Sequence, residues 1–241
     1  SGLLRLFASW SKATSTAPFL VEHNKEILIK IIDVLDVPSA KDEVKQFVLD
    51  DILRNIFALI AGDENAQSLD EKIRRSRIHT DIIQSYSNAI LNRVGGLLRK
   101  SPSKEVLESG VLAIAELAPH VVGSTESRSM IEIATFLIRQ PSKRVNPRTK
   151  LGLLKILHEF IQRCDATSLA ELFDSIYDAV CPMFAFFQDR AARTVLCDVI
   201  QDLSDTREEL ADVAKLCQEL NSFAKGRLDE PDFARRSQAF N

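Results

Sequence analysis

Residues 146–182 read NPRTKLGLLKILHEFIQRCDATSLAELFDSIYDAVCP, and the fold is decided by how this stretch is read. Asn146 can cap a helix whose first residue is Pro147, a favourable start because a proline there forfeits only an amide that would lack a partner. Apolar residues then recur at three- and four-residue intervals to about Cys164, which is helical and not strand periodicity. Asp165 is placed to cap the next helix, which continues through Leu169, Leu172, Phe173, Ile176 and Val180 to Pro182. The short connector between the two implies an antiparallel helix pair.

The same arrangement extends in both directions. Ser103 to Ala118, ended by Pro119, pairs with Ser124 to Arg139, ended by Pro141. Asp189 to Leu203 pairs with Asp205 to Phe223, and Asp205 with Glu208 has the form of an N-terminal capping arrangement. Pairs therefore begin near Ser103, Asn146 and Gln188, a spacing of about 40 residues and the period of HEAT or armadillo repeats. One hairpin cannot bury such broad apolar faces by itself. The expectation is an all-α fold, an α-solenoid of stacked antiparallel helix hairpins of HEAT/armadillo type. The competing architecture is a compact helical bundle.

The N-terminal part is less regular. Leu3 to Trp10 looks like the end of a helix, followed by a turn-rich connector to Pro18. Ile27, Ile31, Val34 and Leu35 form one face of a helix that stops before Pro38. Glu43 to Ala61 carries Val44, Phe47, Val48, Ile52, Ile56, Leu59 and Ile60 on one stripe, with Gly62 as its expected cap and Gly62 to Asp70 as a polar loop. A long helical stretch reaches about Lys100, where Ser101-Pro102 ends it. Gly95-Gly96 interrupts it and predicts a kink or a close helix crossing. A last short helix is expected to begin at Pro231. The organisation is thus one solenoid fragment, with irregular helices over 1–101, three hairpins over 102–224 and a short helix within 225–241. A chain that begins Ser-Gly and enters a helical pattern at once is read as a piece of a longer protein.

With 241 residues, 45% of them apolar, the chain can bury a core without metal or disulfide. Thirty-one Lys and Arg against 34 Asp and Glu exclude a bulk polycation that coats nucleic acid, so any phosphate contact must come from a local patch. Cys164, Cys181, Cys197 and Cys217 lack the Cys-x-x-Cys spacing of a zinc knuckle or redox pair and read as four buried, reduced thiols. The longest apolar run, Ala179 to Phe187, is about half of the ~18 residues a membrane span demands. An intracellular, soluble chain is expected.

No catalytic constellation emerges. His158-Glu159 would need a second histidine at 162, where Gln162 stands, and reads as a histidine on the rim of a helix interface. His23, His79 and His120 share no motif, and Gly95-Gly96 lacks the Lys-Ser/Thr of a phosphate loop. Asp198, Asp202, Asp205, Glu208, Glu209 and Asp212 read as a solvated acidic face. No enzyme activity, cofactor, metal site or small-molecule substrate is expected.

Two basic clusters say more. Lys72, Arg74, Arg75 and Arg77 follow Asp70 and Glu71, so their charge is partly balanced. Arg139, Lys143, Arg144, Arg148 and Lys150 place five cations and no anion within twelve residues, on a Pro- and Asn-containing connector. Such a loop projects cations that can neutralise RNA phosphates or meet an acidic partner, the alternative being an ordinary solvated loop. No aromatic residue is interleaved with them, so the sequence offers backbone contact without base stacking.

The stretch Leu220-Asn221-Ser222-Phe223, with Arg227-Leu228-Asp229-Glu230-Pro231-Asp232-Phe233-Ala234-Arg235-Arg236 and Ala239-Phe240-Asn241, resembles a segment of the very large U-three small nucleolar RNA-associated protein twenty family, also known by the DRIM domain. Leu3 to Trp10 resembles the helix that begins that domain. The resemblance implies a HEAT-repeat scaffold of the small-subunit processome, the nucleolar particle that folds and cleaves precursor ribosomal RNA toward its 18S product. It implies ribosome assembly factors and ribosomal proteins as partners, contact with pre-rRNA or small nucleolar RNA backbone, no membrane, and no catalytic residue to carry across. It also implies that 229–241 is structural, with Pro231 opening a helix, Asp229, Glu230 and Asp232 complementing its dipole, and Phe233 and Phe240 docked on the preceding hairpin. The alternatives are a HEAT-type protein-docking module in transport or signalling, which would hold peptides on a concave surface, and a helical enzyme.

Overall fold

The computed structural model describes residues 28–54, 86–121, 126–224, 226 and 230–240, together with 2, 5 and 9. The chain forms two compact units, Ser1–Glu126 and Ser127–Asn241. Both are helical, and among the described residues the only strand-like pairing is an isolated bridge between Phe223 and Pro231. The fold is all-α.

In the first unit, α1 (28–33) tightens into a 3-10 turn, Val34–Asp36, ahead of Pro38. Its buried face is Leu28, Ile31, Ile32 and Leu35. The next helix, α2 (Asp42–Phe47), widens into π-type bonding over Val48–Leu53, where the Arg54 N–H reaches back to Leu49 O. The widening rotates the stripe: Val48, Leu49, Ile52 and Leu53 are buried, while Val44 and Phe47 stay half-exposed. Ile56, Leu59, Ile60, Gly62 and the polar loop expected up to Asp70 lie outside the described residues.

The kink expected at Gly95-Gly96 is absent. Helix α3 (86–99) runs unbroken through both glycines, and a Cβ at Gly96 would meet nothing within 4 Å. Burial of Ile90, Leu91, Val94, Leu97 and Leu98 outweighs a propensity cost of about 1 kcal/mol per glycine. The close crossing, the other expectation for this stretch, is present: a Cβ added at Gly110 of α4 (Lys104–Leu117) would lie 3.1 Å from Leu98 Cδ2 and 3.5 Å from Val94 Cγ1, α3 residues on either side of the glycine pair. Ser101, at φ 53°, turns the chain out of α3 before Pro102, as expected. Polar ties join α4 to the segment after α2: Ser109 Oγ donates to Asp50 at 2.7 Å, and the Arg54 guanidinium donates to Glu116 at 2.6 and 2.8 Å.

In the second unit, α5 (Ser127–Ile138), α6 (Pro147–Ile161), α7 (Ala166–Val180), the single turn α8 (Met183–Phe186), α9 (Arg190–Ser204) and α10 (Ala211–Leu220) follow one another. Asn146, Asp165 and Asp189 cap α6, α7 and α9, each side chain accepting from the backbone amide three residues on. Side-chain bonds fix the directions. Lys150, at the start of α6, donates to Ile138 O at the end of α5, so the two run antiparallel. Arg193 bonds Asn221 and Cys197 bonds Cys217 O, so α9 and α10 are antiparallel too. Arg128 pairs with Glu171 and Arg139 reaches Ser175, which makes α5 and α7 parallel neighbours. His158 meets Asp202 where α6 and α9 run side by side. Antiparallel neighbours, with α5 and α7 stacked in parallel, are consistent with the packing of an α-solenoid.

Helix α6 packs broadly on α5 and α9, and not chiefly on α7 as a hairpin frame starting at Asn146 implies. Its buried side chains, Leu153, Leu154, Ile156, Leu157, Phe160 and Ile161, occupy two faces and need two neighbours. At roughly 1.5–3 kcal/mol for each buried side chain, that stacking exceeds the ~1 kcal/mol of any one cap.

Three expectations about the C-terminal region are corrected. Asp205 is not an N-cap; it closes the C-terminus of α9, and a 3-10 turn, Glu208–Leu210, precedes α10. Pro231 does not open a helix. Its bridge to Phe223 precedes α11 (Phe233–Gln238), and Asp232 is the cap, accepting from Arg235 N at 3.0 Å. Phe233 and Phe240 do not dock, being 70% and 79% exposed. The docked ring is Phe223, held between the guanidinium groups of Arg190 and Arg236 at 5.3 and 4.9 Å from its centroid, because the bridge fixes its backbone and cations are the nearest cover.

Candidate nucleic-acid interface

The basic cluster occupies the connector between α5 and α6. Pro141 O accepts from the amides of Arg144 at 2.8 Å and Val145 at 3.0 Å, closing a compact turn, and the Val145 side chain is fully buried. Asn146 Oδ1 then accepts from both Thr149 N and Thr149 Oγ1, fixing the start of α6. The connector is therefore anchored at both ends while Lys143 and Arg148 stand exposed and Arg144 half-buried. No Asp or Glu occurs between Glu132 and Glu159, so the charge along this stretch has no local anionic counterweight in sequence.

Lys150 does not belong with the projecting cations. It is 4% exposed, its ammonium donates to the carbonyls of Ile138 and Gln140, and it lies 5.3 Å from the centre of the Phe186 ring. Burial depresses its pKa. The physical reason is helix geometry: a cation in the first turn of α6 faces the unpaired carbonyls that end the antiparallel α5, where the negative end of the α5 dipole favours it. Arg139 is exposed but tethered, donating to Ser175 O at 2.7 Å and Ser175 Oγ at 3.3 Å, both neutral acceptors. Lys72, Arg74, Arg75 and Arg77 lie outside the described residues.

Two aromatic rings that sequence spacing did not connect with this loop stand beside it. Phe136, 58% exposed, lies one helical turn before Arg139 and Gln140 on α5. Phe186, 37% exposed, is brought to the connector by Lys150 and held edge-on against Phe187 at 4.8 Å. Phe186 is 36 residues from Lys150 in sequence. Only the stacking of helices joins them.

Elsewhere, His158 and Asp202 pair across a helix interface. His158 Nδ1 lies 2.7 Å from Asp202 Oδ2, and Gln162 Nε2 donates to Asp202 Oδ1 at 3.0 Å, so His158 sits at a helix interface as expected. Asp202 leaves the solvated acidic face on which it was expected: it is 9% exposed, because its position on α9 faces α6. Burial raises its pKa against the opposing hydrogen bonds of Gln162 and His158. All four cysteines are free, but only Cys197 is buried; the other three are half-exposed. Burial, then Cys217 and Asp198, push the Cys197 thiol up to about 12. Among the described residues no three His, Cys, Asp or Glu side chains converge to hold a metal, and no helix is long and apolar enough to cross a membrane.

Helices stacked in this way define an all-α helical-repeat protein of solenoid type. The chain belongs to the family described as U3 small nucleolar RNA-associated protein 20, N-terminal, which matches residues 1–241. It is similar over its whole length to the U3 small nucleolar RNA-associated protein 20 of Schizosaccharomyces pombe, at 24% identity over 248 residues. It is likewise similar to the protein of that name from Saccharomyces cerevisiae, at 23% over 245 residues. The chain spans 10% and 9% of the length of these two relatives. The resemblance read at the two ends of the sequence thus extends across all of it.

Proposed function

We propose that this chain is a non-catalytic scaffold segment in small ribosomal subunit biogenesis, acting in the nucleolus as part of the small-subunit processome during pre-18S rRNA processing. Its helical faces hold assembly factors and ribosomal proteins. Its α5–α6 connector contacts RNA backbone through Lys143, Arg144 and Arg148, with Arg139 as a tethered cation at the rim. The observation that carries the reading is membership of a family named for association with U3 small nucleolar RNA. The solenoid packing supports it, since stacked hairpins offer extended surfaces for large partners.

The test uses the intact polypeptide that contains this segment. Affinity-tagged protein is sedimented from nuclear extract, and its RNA is probed for precursor ribosomal and U3 small nucleolar species. Co-sedimentation is expected, with signal in nucleoli by microscopy. A polypeptide that sediments free of these RNAs, with transport or signalling proteins attached, overturns the proposal.

A further inference from the structure

Phe136 is out of place for a core residue. Helix α5 buries Met130, Ile131, Ile133, Ala134, Leu137 and Ile138, yet leaves this large ring 58% exposed. One turn back on α5 stand Ile133, which is buried, and Glu132, whose charge is paired with Arg128 at 3.1 Å, while Arg139 and Gln140 follow just past the end of the helix. A protein partner that binds through hydrophobic burial needs a contiguous apolar patch, and the other large apolar side chains of α5 are buried and add none beside this ring. An acidic partner would use the cations but has no need of an aromatic plane. A nucleobase uses both: its π face stacks on a ring while its phosphate meets a cation one residue-length away.

The geometry supplies that combination. Phe136 stands in the last turn of α5, which ends at Ile138, and the connector beyond it folds back through the turn at Pro141. Lys143 is exposed on that connector and Arg148 in the first turn of α6. Phe186 provides a second, partly exposed ring at the same loop, held edge-on by Phe187 and facing the Lys150 ammonium.

From this arrangement we infer that the end of α5 and the α5–α6 connector form a binding site for single-stranded RNA, in which an unpaired base stacks on Phe136 while Lys143 and Arg148 hold the adjoining phosphates. The inference rests on the RNA contact proposed above and adds to it a preference for unpaired strands. Duplex RNA keeps its bases stacked on one another and offers the ring nothing.

The two readings separate in one experiment on the full chain. Fluorescence anisotropy measures binding of a 12-nucleotide oligouridine, a 12-nucleotide oligoadenosine and a 12-base-pair RNA duplex across a range of salt. Phe136→Ala is expected to weaken both single strands about tenfold or more, leave the duplex within about twofold, and keep the salt slope unchanged. Phe136→Trp should restore single-strand binding. Combined Lys143→Glu, Arg144→Glu and Arg148→Glu should weaken all three probes and flatten their salt dependence. Loss from the charge variant with none from Phe136→Ala overturns the stacking inference alone. No binding by the unaltered chain, or no loss from the charge variant, overturns the RNA contact as well. Phe136 is exposed, so a melting curve unchanged by Phe136→Ala excludes misfolding as the cause.

Discussion

Replacing Lys150 with methionine isolates what its ammonium does, because methionine keeps most of the stem and removes the charge. The ammonium donates to Ile138 O, which is buried, and to Gln140 O, which is partly exposed. Water can reach the second carbonyl in the variant but not the first, so one unsatisfied buried acceptor remains, at about 1–3 kcal/mol. Loss of the contact with the Phe186 ring adds about 0.5–1 kcal/mol. Relief of a desolvated charge offsets part of this, leaving a destabilisation of about 2 kcal/mol. In a chain of 241 residues that lowers the melting temperature by roughly 4–8 °C, read by circular dichroism at pH 7. Lys143→Met, on the same connector but exposed, should stay within about 0.5 kcal/mol of the parent. Alkaline pH adds a second readout. The folded pKa of Lys150 lies below its ordinary value, so between the two the unfolded chain holds more protons and stability rises with pH. That rise should vanish in Lys150→Met. A variant as stable as the parent, or a Lys143→Met equally damaged, would refute the view that Lys150 terminates α5.

Three further outcomes follow from the helix interfaces. The folded pKa of Asp202 lies above its ordinary value, so the folded chain holds the extra proton and stability falls as pH rises from about 3.8 through the folded value; Asp202→Asn, followed by urea unfolding, should flatten that fall. His158 and Asp198 face the same carboxyl, so each should be kept unchanged in the comparison. Asn146→Ala removes the acceptor for both Thr149 groups and should cost about 1 kcal/mol by the same unfolding assay, whereas Asn146→Asp should cost little. Ellman's reagent should modify Cys164, Cys181 and Cys217 ahead of Cys197, whose thiol is pushed up to about 12; early modification of Cys197 in native protein would contradict its burial.

Much of the helical framework is legible without coordinates because its signals are local. Asn146-Pro147, Asp165 and Asp189 start helices by bonding amides three residues away, and Ser101-Pro102 ends one within its own turn. The failures are non-local. Asp205 with Glu208 has a capping pattern, yet Asp205 closes the end of α9 at Ser204 and the next turn forms only at Glu208–Leu210. Phe233 and Phe240 have the hydrophobicity of docked rings, but hydrophobicity does not state what lies opposite, and Phe223 occupies the place between the arginines. Gly95-Gly96 left a kink and a close crossing open in sequence, and only the packing of Val94 and Leu98 against Gly110 shows that α3 continues and the crossing occurs.

The candidate site divides along the same line. Five cations without an anion could be counted along 139–150 from the residues alone, as could the all-α character, since periodicity and capping act within a few residues. Which cations face water was decided by stacking. The antiparallel packing of α6 on α5 turned Lys150 inward onto carbonyls, and the return of the chain through α8 brought Phe186 to the loop. Such contacts depend on distances between residues far apart in sequence, and those distances exist only after helices have buried their faces against one another.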